Sequence, residues 1–260
     1  MSKRLRRVFS ILIAAVLAVL LYEVLRPDEQ LYQGKSLRVW LEQSTAGGPM
    51  AAPDTNDLEA VRQLGASTVP TLLEMARVKD SPLKHDWIKL VRAQSLLPIH
   101  LHTDEEYQGM ACAGFYALGP VGKDAVPDLI KLLGETNRQF RGVAADCLGN
   151  IGPEAKAAVP SLIRFINDPD RIVRWDTTVN LSKIHMRPEL AVPALISNLS
   201  PTNVILSTTI DALGSFGDNA KPAVPILLNF LNNEKENVRG AATNALKKID
   251  AQAAAKSGIR

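Results

Sequence analysis

The sequence is poor in the residues that build chemical sites. Two cysteines and four histidines stand in 260 residues, and the cysteines, Cys112 and Cys147, have no metal-ligand spacing. No P-loop, G-x-S-x-G, H-E-x-x-H or C-x-x-C occurs, which removes the common phosphate-, acyl- and metal-based chemistries. Gly119-Pro-Val-Gly-Lys123 reads as an inter-helix loop, not a phosphate cradle. Ser81-Pro-Leu-Lys84 fits S-x-x-K and Lys256-Ser-Gly258 fits K-[ST]-G. The penicillin-binding fold needs a sheet under the second of these, and here it lies in a polar tail. Basic excess is also missing. The net charge is +3, and residues 1–26 alone carry +4. The remaining chain, at −1, has no surplus of cations for a phosphate backbone, which argues against nucleic acid.

What is present is a period. Val-Pro occurs at Val69-Pro70, Val126-Pro127, Val159-Pro160, Val192-Pro193 and Val224-Pro225, and the last four prolines are 33, 33 and 32 residues apart. A fixed interval of this size predicts a stack of helix pairs. Residues 117–142 (ALGPVGKDAVPDLIKLLGETNRQFRG) and 147–175 (CLGNIGPEAKAAVPSLIRFINDPDRIVRW) show the unit best. Residues 212–240 are a third copy, and the unit around Leu181 to His185 is degraded. Proline lacks an N–H and fixes φ, so each Val-Pro opens a first helix. Behind Pro160, Leu162, Ile163, Phe165 and Ile166 recur at helical spacing, and Val173, Thr177, Leu181 and Ile184 line one face of a second helix. Gly122, Gly152 and Gly217 are expected at left-handed helix ends, with His185 in the same place.

These residues resemble the HEAT repeat, most closely the HEAT-like repeats of phycobilisome lyases, over residues 58–250. The Leu-Gly-x-Ile-Gly stretch, the Ala-Val-Pro stretch and a turn acid followed by Arg carry the resemblance. It implies an all-α fold, a right-handed α-solenoid of about five to six helix pairs. It also implies a ladder of turn residue and Arg: Glu135 with Arg141, Asp168 with Arg174, and Asn233 with Arg239. Ala111 and Leu206 are expected at the Arg position of the other two units, where the ladder breaks. Second helices line the concave surface in that family, so Trp175 and Val179, Cys112 and Tyr116, Gly142 and Asp146, and Ser207 and Asp211 are expected there. Trp175, Val179, Tyr116, Asp146 and Asp211 are the candidate partner-binding residues.

The first interval, Pro70 to Pro127, is 57 residues, one unit plus an insertion. Residues 81–97 read as an amphipathic helix with Trp87, Ile88, Val91 and Leu96 or Leu97 inward. The following PIHLHTDEEYQG is polar without period. There, His100 and His102 with Asp104, Glu105 and Glu106 are the densest set of potential ligands, read as a solvated loop. No metal and no cofactor is expected. Cys112 and Cys147 are placed on neighbouring second helices, five positions apart in register, as two separate core residues.

At the amino terminus Lys3, Arg4, Arg6 and Arg7 precede an apolar run over residues 8–22. No cysteine lies near it for a lipoprotein signal, and no convincing cleavage site follows for a signal peptide, so a membrane anchor over residues 1–26 is expected. The positive-inside rule then puts the rest in the periplasm or cell exterior. Residues 27–57 form a linker with a short helix around Leu37, Trp40 and Leu41, residues 58–250 the repeats and 251–260 a polar tail. The function expected is a non-catalytic scaffold binding a protein or peptide. A bilin lyase or isomerase subunit and a nucleic-acid-binding HEAT-like protein are the alternatives.

Overall fold

The computed structural model describes residues 31–45, 55–93 and 101–258. The anchor segment over residues 1–26, His100 and residues 27–30 and 46–54 of the linker lie outside them. Apart from a two-residue hairpin, β1 (Leu31–Tyr32) with β2 (Lys35–Ser36), the regular structure described is helical.

Five helix pairs follow one another. The first helices are α3 (Val69–Ala76), α6 (Val126–Leu133), α8 (Val159–Phe165), α10 (Pro188–Ser197) and α12 (Val224–Phe230). The second helices are α5 (Asp104–Leu118), α7 (Arg138–Ile151), α9 (Arg171–Ile184), α11 (Leu206–Ser215) and α13 (Glu236–Ile249). Each second helix packs on the next, giving one layer, with the first helices forming the other. α1 (Leu37–Thr45) and α2 (Thr55–Leu64) close the amino-terminal end against α5, and α14 (Ala251–Lys256) packs on α13. The residues expected to form a polar tail are thus in part helical. Asp250 caps α14 by accepting from Gln252 and Ala253 N–H.

The core is one continuous apolar seam between the layers. Val173, Thr177, Leu181 and Ile184 are all buried, as are Leu162 and Ile166 across from them. Each buried Leu contributes about 1.5–3 kcal/mol. Leu37 and Leu41 of α1 join the seam, while Trp40 donates its Nε1–H to the Tyr32 carbonyl at 3.1 Å.

Proline opens α3, α6, α8 and α12 in their first turn. The degraded unit differs: α10 begins at Pro188, leaving Pro193 inside the helix. The other units reach their Val-Pro through a 3-10 turn, as in Gly119–Ala125, Gly152–Ala158 and Gly217–Ala223. Here Pro188 presets φ early and the chain goes straight into α-helix.

Second helices end on left-handed residues at Gly119 (φ +51°), Gly152 (φ +77°), His185 (φ +53°) and, one residue beyond α11, Gly217 (φ +51°). Each stands eight residues before the proline of its Val-Pro. Gly119, not Gly122, therefore fills the role in the first full-length pair. Gly122 lies inside the 3-10 turn, where a Cβ would sit 3.1 Å from Phe115, so its small size is a matter of packing. This three-residue shift corrects the register of all of α5.

In the insertion, α4 spans Pro82–Ala93 with Ile88 buried and Trp87 and Val91 half-buried; Leu96 and Leu97 lie outside the described residues. The acidic stretch after it is not a loop. Asp104, Glu105 and Glu106 are the first turn of α5, and Thr103 and Glu106 form a reciprocal capping box.

Candidate partner-binding surface

The joints between pairs are built around the helix that follows each turn. Arg141 donates through Nη1 to the carbonyls of Glu135 (3.1 Å) and Thr136 (2.7 Å). Arg174 does the same to Asp168 (2.6 Å) and Pro169 (3.1 Å), and Arg239 to Asn233 and Glu234 (2.9 Å each). The contact expected with an acidic side chain in the same pair is thus a contact with backbone. The acid is used one step further on: Asp168 accepts from Arg141 Nη2 of the preceding pair at 3.0 Å, and Arg141 Nε stands 2.8 Å from its other oxygen. A ladder residue joins pairs only where both members are present. Arg174 faces a following turn with Pro201 in that place, and Asn233 follows Leu206. In α5 the position belongs to Gln108, not Ala111. Buried Gln108 donates to the Val78 carbonyl at 2.9 Å and accepts from Gln139 of α7 at 2.8 Å.

Counted back from the left-handed residues, Trp175 falls in a row with Gly109, Gly142, Ser207 and Gly240. Every other member of that row is Gly or Ser, so the indole stands above small neighbours, 47% exposed. Ile172, one turn earlier on α9, is exposed as well. Val179 is half-buried, Asp146 half-buried and Asp211 exposed, and these three share the next row. Cys112 and Tyr116 do not: the shift of α5 puts Gly109 and Ala113 at those places. Tyr116 lies one turn further along, 57% exposed. The second-helix layer thus shows two exposed aromatics on α5 and α9.

The carboxylates beneath them are perturbed. Burial pushes the Asp176 carboxyl up to about 7, with Asp146 and Asp170 adding repulsion and Lys183 opposing it. Asp176 was not singled out from sequence. It is 6% exposed, and its side chain accepts no hydrogen bond among the described residues. Burial likewise raises Asp146, against a 2.7 Å hydrogen bond from Asn180 Nδ2 and the charge of Lys183. The Asp211 carboxyl, although the residue is exposed, is raised by the partial desolvation of its position on α11, with Lys248 opposing. Three carboxyls on α7, α9 and α11 thus sit where the ionised form is disfavoured.

Cys112 and Cys147 are in contact, not separate. Their sulfurs lie 3.5 Å apart between α5 and α7. The corrected register brings them within two positions of each other, in place of the five expected. Burial holds the Cys147 thiol well above its usual value, with the Cys112 sulfur and Asp146 adding. His102 has its Nε2 3.3 Å from Glu42 of α1 and its ring against Tyr107, so it belongs to the packing of α1 on α5. Among the described residues no group of three His, Cys, Asp or Glu is placed to hold a metal ion.

Successive helix pairs of about thirty-three residues sharing one seam define an α-solenoid repeat protein. Residues 93–182, from the end of α4 into α9, match the model of the HEAT repeats family. Similar solved structures include an engineered protein (20% identity, 83% of this chain and 96% of that one, TM-score 0.46). A designed armadillo repeat protein in complex with a (KR)4 peptide is 15% identical over 83% of this chain and all of that one, TM-score 0.45. A computationally designed armadillo repeat protein for modular peptide recognition is 17% identical over the same shares, TM-score 0.41. No curated protein matches the chain.

Proposed function

We propose that this protein is a non-catalytic scaffold that binds a protein or peptide on its second-helix layer, tethered to a membrane by its first 26 residues with the repeats outside the cytoplasm. The observation that carries the binding surface is Trp175, 47% exposed in a row otherwise filled by Gly and Ser. Trp is among the residue types most enriched in binding hot spots. The carboxyls of Asp146, Asp176 and Asp211 give the partner's chemistry. A Lys or Arg brought beside Asp176 supplies the hydrogen-bonding cation that this buried group lacks. The preferred partner is therefore a segment bearing both a basic and an apolar side chain.

Binding is tested with fluorescein-labelled peptide pools of opposite charge, read by anisotropy. The basic pool binds and the acidic pool does not; equal binding of both contradicts the charge assignment. The tether is supported by the basic and then apolar character of residues 1–22. Among the described residues no helix is long and apolar enough to cross a membrane, and residues 1–26 lie outside these. Reporter fusions at the carboxyl terminus decide the topology: activity of a reporter that works only in the cytoplasm contradicts it.

A further inference from the structure

We infer that Cys112 and Cys147 form a disulfide site that staples α5 to α7 across the joint between two helix pairs. Three observations carry it. The sulfurs already lie 3.5 Å apart and both cysteines are free. A disulfide needs about 2.05 Å, so side-chain rotation supplies most of the approach. Helix α5 is also held against α7 beside the pair. Asn150 of α7 donates Nδ2 to the Cys112 carbonyl at 3.0 Å, and the Cys112 sulfur lies 4.0 Å from the Val143 carbonyl. Finally, the two thiols differ in access: Cys147 is fully buried and Cys112 is half-buried.

That difference orders the chemistry. The oxidant is a small-molecule or protein disulfide. The Cys112 thiolate attacks one of its sulfurs, forming a mixed disulfide and releasing the first thiol. Cys147 then gives up its proton and attacks the Cys112 sulfur. The bond from Cys112 to the oxidant breaks, and the second thiol leaves. Two protein thiols become one disulfide, and the oxidant, reduced by two electrons, becomes two thiols. Tyr116 stands one turn from Cys112 on α5, so the bond fixes one of the two exposed aromatics relative to α7.

The test uses the full chain with oxidised glutathione, followed by denaturation, alkylation and mass spectrometry. The expected product has lost two hydrogens, resists alkylation at both cysteines and yields a peptide linking residues 112 and 147. Its Tm is raised by about 10 °C over the reduced form, the amount expected for cross-linking residues 35 apart. Cys147→Ser retains a glutathione adduct at Cys112. The inference is overturned if the wild-type protein stops at that adduct, if both thiols remain fully alkylatable, or if the linked form melts below the reduced one.

Discussion

Arg141 of α7 and Asp168, in the turn before α9, form a buried ion pair across two helix pairs, with Nε 2.8 Å from Oδ2 and Nη2 donating to Oδ1 at 3.0 Å. The same arginine caps two carbonyls of its own turn, and Asp168 accepts from the Asp170 N–H at 2.8 Å. One side chain therefore closes its own turn and docks the next. Breaking such a pair leaves a buried charge without its partner, which costs about 3–5 kcal/mol. Arg141→Met is expected to lose that much in urea unfolding. Arg174→Met, which removes two carbonyl contacts and no ion pair, is expected to lose about 1–2 kcal/mol. Hydrogen exchange should rise first in α7 and α9, because contacts in a repeat stack are local. Equal losses for the two variants contradict the assignment of the joint to Arg141.

Gly152 ends α7 at φ +77°, and a Cβ there would meet nothing within 4 Å. The cost of Gly152→Ala is therefore backbone strain alone, about 1–3 kcal/mol. Gly152→Asn is expected to lose about as much, because at ψ −142° the backbone lies outside the left-handed helical region that Asn tolerates. His185 differs: it takes φ +53° with ψ +29°, the left-handed helical conformation that a side chain can adopt, with its ring stacked on Phe216, centroids 5.0 Å apart. Thermal melts of the two Gly152 variants check this, and a loss for Asn less than half that for Ala refutes it.

Asp176 makes stability depend on pH in a direction opposite to most paired carboxylates. Its carboxyl moves from 3.8 to about 7 on folding, so between these values the folded state holds a proton that the unfolded state has lost. Stability is full below about pH 4, falls as the pH rises towards 7 and is level above that, with a total on the order of a few kcal/mol. Asp176→Asn should flatten the curve and raise Tm at pH 8. Asp146, Asp170 and Lys183 also act on this group, so the reading is the difference between wild type and variant from pH 4 to 8. Parallel curves contradict it.

The repeat was legible because proline and helical apolar spacing are local signals, and every copy reports them independently. Register in α5 was not. Leu118-Gly119-Pro-Val-Gly122 and Leu148-Gly149-Asn-Ile-Gly152 look alike as strings, yet the left-handed residue is the first glycine in one and the last in the other. That choice follows from where Pro127 and Pro160 begin the next helices, and counting eight residues back from each proline finds it. The same three-residue error hid Gln108 as the joint residue and kept Cys112 apart from Cys147. The start of α5 did have a signal, the Thr-x-x-Glu of residues 103–106, masked by reading its acids as a loop. Asp176 had none, since a buried carboxylate on a second helix is set by neighbouring helices that sequence alone does not align.

The central claim is that the second-helix layer, around Trp175, receives the partner. Its most direct test is site-specific photo-crosslinking of the full chain in native membranes. One photoreactive residue replaces Trp175 and, separately, another replaces Lys131, an exposed residue of the first-helix layer whose side chain is 76% accessible. A discrete adduct from position 175 that is absent from position 131, and is competed by a basic peptide, is the predicted result. Adducts of equal yield from both positions, or from position 131 alone, contradict the account.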